Sequence, residues 1–338
     1  MRYLKMSDIK ENMILGNSLL DNNGNILIRQ GNTINSILLK RLNTLDIQGL
    51  YIDDYLGRDI EIDQLVDIEV RKEAIKSLID KKYSESIQCA KSIVKELSKR
   101  DSLQVNYITT SIKSNYTYNH AVSTCVYATI IGLALGFNEE QLNDVAVAAM
   151  LADIGKKELP QDILHKEGKL TKEEYKIVKQ HPKKSYDIVT ELYDISSKSR
   201  NAILYHHENI DGSGYYGINE KQQTIYTRIV HLADVYSALI MDRPWRKAFS
   251  VSEAIEMIMG NAGTMFDVEV VKAFTSKFPI YPLGVTVNLS NGEKAIIANN
   301  EHNTIRPIIR VFNNNDDKLI DLSDNKDYLN VTIIGVDM

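Results

Sequence analysis

Tyr205-His206-His207-Glu208-Asn209-Ile210-Asp211-Gly212-Ser213-Gly214-Tyr215-Tyr216-Gly217 sets two adjacent histidines and two acids ahead of three glycines within six residues. Packing needs alone do not generate this order. Neutral imidazole nitrogen is a common ligand for zinc-, iron- and manganese-type ions. The glycines free the backbone to turn tightly and to approach a ligand closely. Two histidines at a helix end are by themselves an ordinary feature, so the residues on either side decide the matter.

Around this stretch, residues 105–278 read as nearly all helix. Gly136-Phe137 closes one helix, and Asn138 with Gln141 opens the next as a capping box. Thr171 with Glu174 and Ser250 with Glu253 repeat that signature. His181-Pro182 marks a helix boundary, because proline disfavours helical geometry in the residue before it. Residues 1–57 predict a small α+β module: Met13–Leu20 and Asn25–Ile28 flank the hairpin signal Asn23-Gly24, Ile34–Leu45 has helical periodicity, and Gly49–Ile52 closes as a strand. Residues 58–104 predict a linker of two charged helices, expected to be a solvated spacer. Residues 280–338 predict a small antiparallel β domain, with strands near Val285–Leu289, Ala295–Ala298, Ile308–Phe312, Lys318–Leu322 and Val331–Ile334. The fold class is therefore mainly α, a helical bundle over residues 105–279 with a β-containing module at each end.

Composition bounds the function. A 338-residue chain with 43% hydrophobic and 25% charged residues is that of an ordinary globular protein with ample core. A net charge of −5 argues against a duplex DNA or RNA surface but leaves room for a local basic pocket. The two cysteines, Cys89 and Cys125, have no framework spacing. The longest purely apolar run, Val145–Ala152, is too short to cross a bilayer, and Met1–Gly16 carries no signal-peptide hydrophobic region. A cytoplasmic location follows as the expectation, with no membrane partner.

Candidate metal ligands fall in five pieces of the helical region: Asn119-His120, Asp153-Ile154-Gly155-Lys156, His181-Pro182, His206-His207 and Ala233-Asp234. The chain has seven histidines and four of them lie in these pieces. Each piece sits on a helix or at a helix end, which suits ligands held on rigid elements. Asp153 follows the apolar run of residues 145–151, so its carboxylate emerges where a buried helix ends, a place for a bridging ligand. His165, His231 and His302 stay outside the expected site, with His231 read as a satisfied core histidine.

Taken together, His120, Asp153-Ile154-Gly155-Lys156, His181-Pro182, His206-His207-Glu208, Asp211-Gly212-Ser213-Gly214-Tyr215 and Asp234 resemble the HD-GYP family, the bacterial subgroup of HD phosphohydrolases that cleave cyclic di-GMP. The resemblance covers roughly residues 105–275 and implies an HD-domain helical bundle around a two- or three-metal centre of iron or manganese. By that resemblance one metal takes His120, Asp153 and Asp234; a second shares Asp153 and takes His181, His206 and His207. Tyr116 stands where some members place a glutamate for a third metal, so two metals are expected. Asp153 and Lys156 would be catalytic. Lys156, Tyr215, Arg243 and Arg246 would meet the substrate, cyclic di-GMP.

Two departures stand out. The pair that names the family is Ala152-Asp153 here, and a methyl group cannot coordinate, so the first metal site is expected to be weakened. Tyr216 replaces the proline of the Gly-Tyr-Pro motif, which removes a fixed φ. Ser185 and Ser237 also depart from the family pattern, and with Tyr216 they favour natural divergence over a deliberate substitution at Ala152. The first reading is a metal-dependent phosphodiesterase that opens cyclic di-GMP to a linear dinucleotide or to GMP, with activity impaired by Ala152. The alternative is an inactive cyclic di-GMP receptor or scaffold that keeps the pocket. The end modules would then serve a homodimer or a signalling partner. An HD-type hydrolase acting on another nucleotide is a third reading.

Overall fold

The computed structural model describes residues 1–21, 25–45, 47–100, 103–106, 116–166, 168–242, 246–313 and 316–337. Asn23-Gly24, the Arg243 position and residues 314–315 lie outside the described residues. The chain opens with β1 (Arg2–Lys5), β2 (Ile14–Leu15), β3 (Leu19–Leu20), β4 (Ile26–Ile28), α1 (Ser36–Thr44) and β5 (Gly49–Asp53). β5 runs between β1 and β2, antiparallel to both, while β3 and β4 pair as a separate hairpin. Ile34, Leu42, Leu50 and Ile52 form the core of this module.

Helices α2 (Ile68–Ile79) and α3 (Tyr83–Leu97) follow. Expected to be a solvated spacer, they instead bury Ala74, Ile75, Leu78, Ile87, Ala90, Ile93, Val94 and Leu97 in one core with the helices after them. Their apolar stripe at three-to-four spacing has a partner, and burial of that stripe explains why they are helical here. The partner is the central pair α4 (Tyr116–Ala134) and α5 (Glu139–Leu151). α5 is buried from Val145 to Leu151 without a break, the mark of a helix enclosed on all sides. Around the pair stand α6 (Gln161–Leu164), α7 (Lys172–Val178), α8 (His181–Thr190), α9 (Ser197–Tyr205), α10 (Ile225–Leu239), α11 (Val251–Gly260) and α12 (Val268–Lys277). The capping boxes at Asn138, Thr171 and Ser250 all form, and Pro182 lies in the first turn of α8. None of the described helices is long and apolar enough to cross a membrane.

The chain closes with β6 (Thr286–Leu289), β7 (Lys294–Asn299), β8 (Ile308–Asn313), β9 (Asp316–Asp321) and β10 (Ile333–Val336), an antiparallel sheet in the order β10-β6-β7-β8-β9. This sheet packs on the N-terminal module through Tyr3, Tyr51, Ile60, Ile62, Val285 and Ile296. Asn106 ties three parts of the chain: its Oδ1 accepts from Asn300 Nδ2 at 2.6 Å and from the Leu283 amide at 3.2 Å, and its carbonyl accepts from Tyr51 OH at 3.3 Å.

Arg310 of β8 is only 2% exposed, and its guanidinium donates to the Leu56 carbonyl at 2.6 Å and to Asp59 Oδ2 at 2.7 Å. Asp59 is itself exposed, and Asp317, which faces Arg310 Nε at 3.5 Å, keeps Arg58 as a partner, so deleting the cation strands only a carbonyl. Arg310→Met should therefore cost about 2 kcal/mol, the scale of one lost charge-assisted hydrogen bond. Urea unfolding would read it; an unchanged midpoint would mean that Arg310 adds nothing to the junction of the two end modules.

A candidate metal centre at the end of α5

Five elements deliver the candidate ligands to one place. α5 ends at Leu151, the chain passes Ala152 and Asp153 into a 3₁₀ turn (Ile154–Glu158), and the turn lies against α8. The approach is close: a Cβ on Gly155 would stand 2.3 Å from the His181 carbonyl and 2.4 Å from the Ser185 amide. Only glycine leaves room. Ser185 adds a clamp, accepting from the Gly155 amide at 2.8 Å and donating to the Ala152 carbonyl at 2.6 Å. Its hydroxyl thus fixes the turn that presents Asp153. α9 brings His206 and His207 at its C-terminal end, α4 brings His120, and α10 brings Asp234.

Asp153 is the shared member. Its Oδ1 faces His181 Nε2 at 3.2 Å and His206 Nε2 at 3.7 Å, and its Oδ2 faces Lys156 Nζ at 2.5 Å and His120 Nε2 at 3.6 Å. His181 Nε2 lies 3.3 Å from His206 Nε2 and 3.1 Å from His207 Nε2. His120 Nε2 lies 2.8 Å from Asp234 Oδ1. Two donor sets result, Asp153 with His181, His206 and His207, and Asp153 with His120 and Asp234, with all donor atoms of each set within 4.8 Å of one another. Donor atoms sharing one cation at bonds of about 2.1 Å stand about 3 to 3.4 Å apart, so most of these spacings fit a metal.

The tautomers point the same way. His181 Nδ1 donates to the Val178 carbonyl and His206 Nδ1 to the Ile203 carbonyl, each at 2.7 Å. With the proton held on Nδ1, each neutral ring turns a lone pair at Nε2 toward the other and toward Asp153. Buried Asp153 Oδ1 has no hydrogen-bond partner among the described residues. Acceptors converging without a donor are what a cation relieves, so the residues fit a metal.

Electrostatics keeps them ready for it. Burial pushes the pKa of His181 below its ordinary value, despite the Asp153 carboxylate beside it, and burial together with the other imidazoles pushes His207 well below. Burial works to raise the Asp153 carboxyl, but the Lys156 ammonium above all, with the facing imidazoles of His181 and His206, outweighs it and holds it well below the usual range. Asp234 follows the same logic: burial raises it and His120 more than reverses that.

Around the ligands stands a ring of residues that hold them. Ser237 Oγ lies 2.9 Å from His120 Nδ1 and orients that ring. Glu208 is buried and accepts from the Tyr216 amide at 2.7 Å and the Ile218 amide at 2.8 Å, which pins the glycine loop to the His206-His207 corner. Gly214 crosses that corner so tightly that a Cβ would sit 2.5 Å from the His207 carbonyl. His231 donates from Nδ1 to the His206 carbonyl at 2.8 Å, and its ring lies on Phe266. Sequence reasoning left out Glu208 and His231 as site residues, since a buried carboxylate serving amides of a loop eight residues on gives no local pattern.

The substrate-facing expectations come out unevenly. Lys156 is on Asp153, and Tyr215 lies over His207 with ring centroids 4.5 Å apart and planes 30° apart. Arg246 is committed elsewhere: it donates to the carbonyls of Ala238 at 2.8 Å and Leu239 at 3.3 Å, closing the C-terminal end of α10, and lies over Phe249. Arg243 lies outside the described residues.

A family model described as the HD domain matches residues 80–270, more than half of the chain. The chain belongs to the HD domain family. It is 33% identical over 199 residues to a cyclic di-GMP phosphodiesterase of Pseudomonas aeruginosa, covering 58% of this chain and 48% of that protein. It is 31% identical over 212 residues to a cyclic di-GMP phosphodiesterase of Borreliella burgdorferi, covering 62% and 55%. A 3'3'-cGAMP-specific phosphodiesterase of Vibrio cholerae matches at 33% over 171 residues, covering 50% and 37%. The chain spans about half the length of the curated relatives it matches.

Removing His206 and His207 together takes two of the four donors from the larger set, so His206→Ala/His207→Ala should lose its bound metal. Elemental analysis after anaerobic purification would check this, and unchanged metal content would sink the constellation. A second expectation concerns acid. Burial depresses His231 from 6.5 to about 4, so its neutral form contributes to stability fully above pH 6.5. Between about pH 6.5 and 4 the unfolded chain takes up a proton that the folded chain refuses, and up to about 3 kcal/mol is lost. In chelator, His231→Gln should therefore show a shallower fall in stability than the parent over that window; parallel curves would refute the assignment.

Proposed function

We propose that this HD domain is a metal-dependent phosphodiesterase whose substrate is cyclic di-GMP, with the ring opened to a linear dinucleotide or carried on to GMP. The observation that carries the reading is the meeting of two donor sets on one buried carboxylate, Asp153, with a lysine beside it. The curated relatives' activity on cyclic dinucleotides supports the substrate class.

His181, His206, His207 and Asp153 would hold one metal; His120, Asp153 and Asp234 would hold the other, with iron or manganese as the ions. When bound, such ions supply Lewis acidity and a water acidified toward neutral pH. The chain's own residues do the rest. His181 and His207 stay neutral at pH 7, so no proton must leave before they ligate. Lys156, partly exposed on Asp153, offers its ammonium to non-bridging phosphate oxygens and neutralises charge that grows there. Tyr215 covers His207 and forms one wall of the approach. Arg243 completes the proposal as a second phosphate contact.

The set around His120 has three donors, and Ala152 beside it adds none. That gap favours slow turnover and keeps the receptor reading open, with the N-terminal module (1–57) and the C-terminal β domain (280–338) as its output. Their shared core supports their acting as one unit in a homodimer or with a signalling partner.

Incubation of the parent and Ala152→His with cyclic di-GMP and Fe(II) or Mn(II), with products separated by chromatography, tests the proposal. Slow release of the linear dinucleotide by the parent and faster release by Ala152→His, with more metal bound, is the expected result. Binding by calorimetry without cleavage in either protein would make the chain a receptor. Neither binding nor cleavage would remove both readings.

A further inference from the structure

α7 ends at Val178, so the side chains of its last turn stand next to the turn that begins α8 at His181. Tyr175 and Lys179 are four residues apart there and share one face. Lys179 Nζ lies 4.8 Å from the centroid of Tyr215 and 5.1 Å from that of Tyr175. The two tyrosine rings meet edge to face at 6.2 Å, and Tyr215 covers His207 in turn. A continuous run therefore leads outward from the metal cluster: the His207 imidazole, the Tyr215 ring, the Lys179 ammonium, the Tyr175 ring. Lys166 pairs with Glu174 and Lys183 with Asp187, but Lys179 pairs with no carboxylate among the described residues. It is half-buried all the same, and Tyr175 is 45% exposed.

A half-buried ammonium between two aromatic faces is fixed in place yet keeps its donors open toward solvent. Such a group recognises an anion. An exposed tyrosine face beside it offers a platform for a planar base, since every base has a π-face to stack. A cyclic dinucleotide brings both features twice: two phosphates and two purines. Only one phosphate can be at the metal cluster during cleavage, so the other nucleotide must lie alongside.

We propose that Lys179 and Tyr175 form a second subsite, which holds the nucleotide that is not being cleaved: Lys179 on its phosphate and Tyr175 on its purine. The inference rests on the phosphodiesterase reading. It gives the run from His207 to Tyr175 the direction along which the substrate lies, and it makes α7 a determinant of preference for dinucleotides over small diesters.

The test uses the Mn(II)-loaded full chain and four variants, Lys179→Gln, Lys179→Arg, Tyr175→Ala and Tyr175→Phe. Calorimetry gives Kd for cyclic di-GMP, and turnover of bis(p-nitrophenyl) phosphate, a diester with one phosphate and no purine, reports the metal cluster alone. Lys179→Gln should weaken cyclic di-GMP binding about tenfold, the scale of one charge-assisted phosphate contact. Tyr175→Ala should weaken it about five- to tenfold, while Lys179→Arg and Tyr175→Phe stay within about twofold of the parent. Turnover of the small diester and the melting temperature should stay the same in all four. Unchanged Kd in Lys179→Gln and Tyr175→Ala would overturn the subsite. So would a parallel loss on the small diester, which would reduce the pair to structural support for His181. A parent that neither binds cyclic di-GMP nor cleaves the small diester would overturn the phosphodiesterase reading first, and the subsite with it.

Discussion

A carboxylate buried among imidazoles is the constraint that the rest of this structure serves. Asp153 is 5% exposed, and an isolated charge there would be too costly to keep. It stays ionised because Lys156, His120, His181 and His206 surround it from four directions. Those directions come from separate parts of the chain, so holding the carboxylate requires α4, α5, α8 and α9 to converge. The buried α5 carries the chain into that interior, and the turn after it presents Asp153 there.

The convergence is kept by small residues and backbone carbonyls more than by bulk. Gly155 lets α8 come against the turn, and Gly214 lets the glycine loop cross the His207 corner. Val178 and Ile203 carbonyls decide which nitrogen of His181 and His206 carries the proton. Ser185, Ser237, Glu208 and His231 then hold the turn, the His120 ring, the loop and the His206 backbone. The two serines that depart from the family pattern are thus both engaged in hydrogen bonds around the ligands.

The end modules obey a different logic. Each has its own small core, yet Tyr3, Tyr51, Val285 and Ile296 form a further core between them. Sheets of this size bury too little to be secure alone. The buried Arg310 and the hydrogen bonds of Asn106 add polar ties to that apolar association.

Local patterns in the sequence determined the helices with their capping boxes, the boundary at His181-Pro182, the strands of the C-terminal sheet and the residue types of the candidate metal centre, because each of these is set by neighbours within a few positions. The identity of His120, Asp153, His181, His206, His207 and Asp234 as a group was legible through motif combination. Their geometry was not. Which imidazole faces which carboxylate oxygen depends on helices separated by up to 114 positions in the chain, as between His120 and Asp234. Tertiary structure alone decided that α2 and α3 belong to the core, that Arg246 closes α10 instead of standing free, and that Glu208 serves the glycine loop. It alone set Lys179 between Tyr175 and Tyr215. In each case the deciding partner lies across a packing interface, where burial selects the contact and local sequence carries no trace of it.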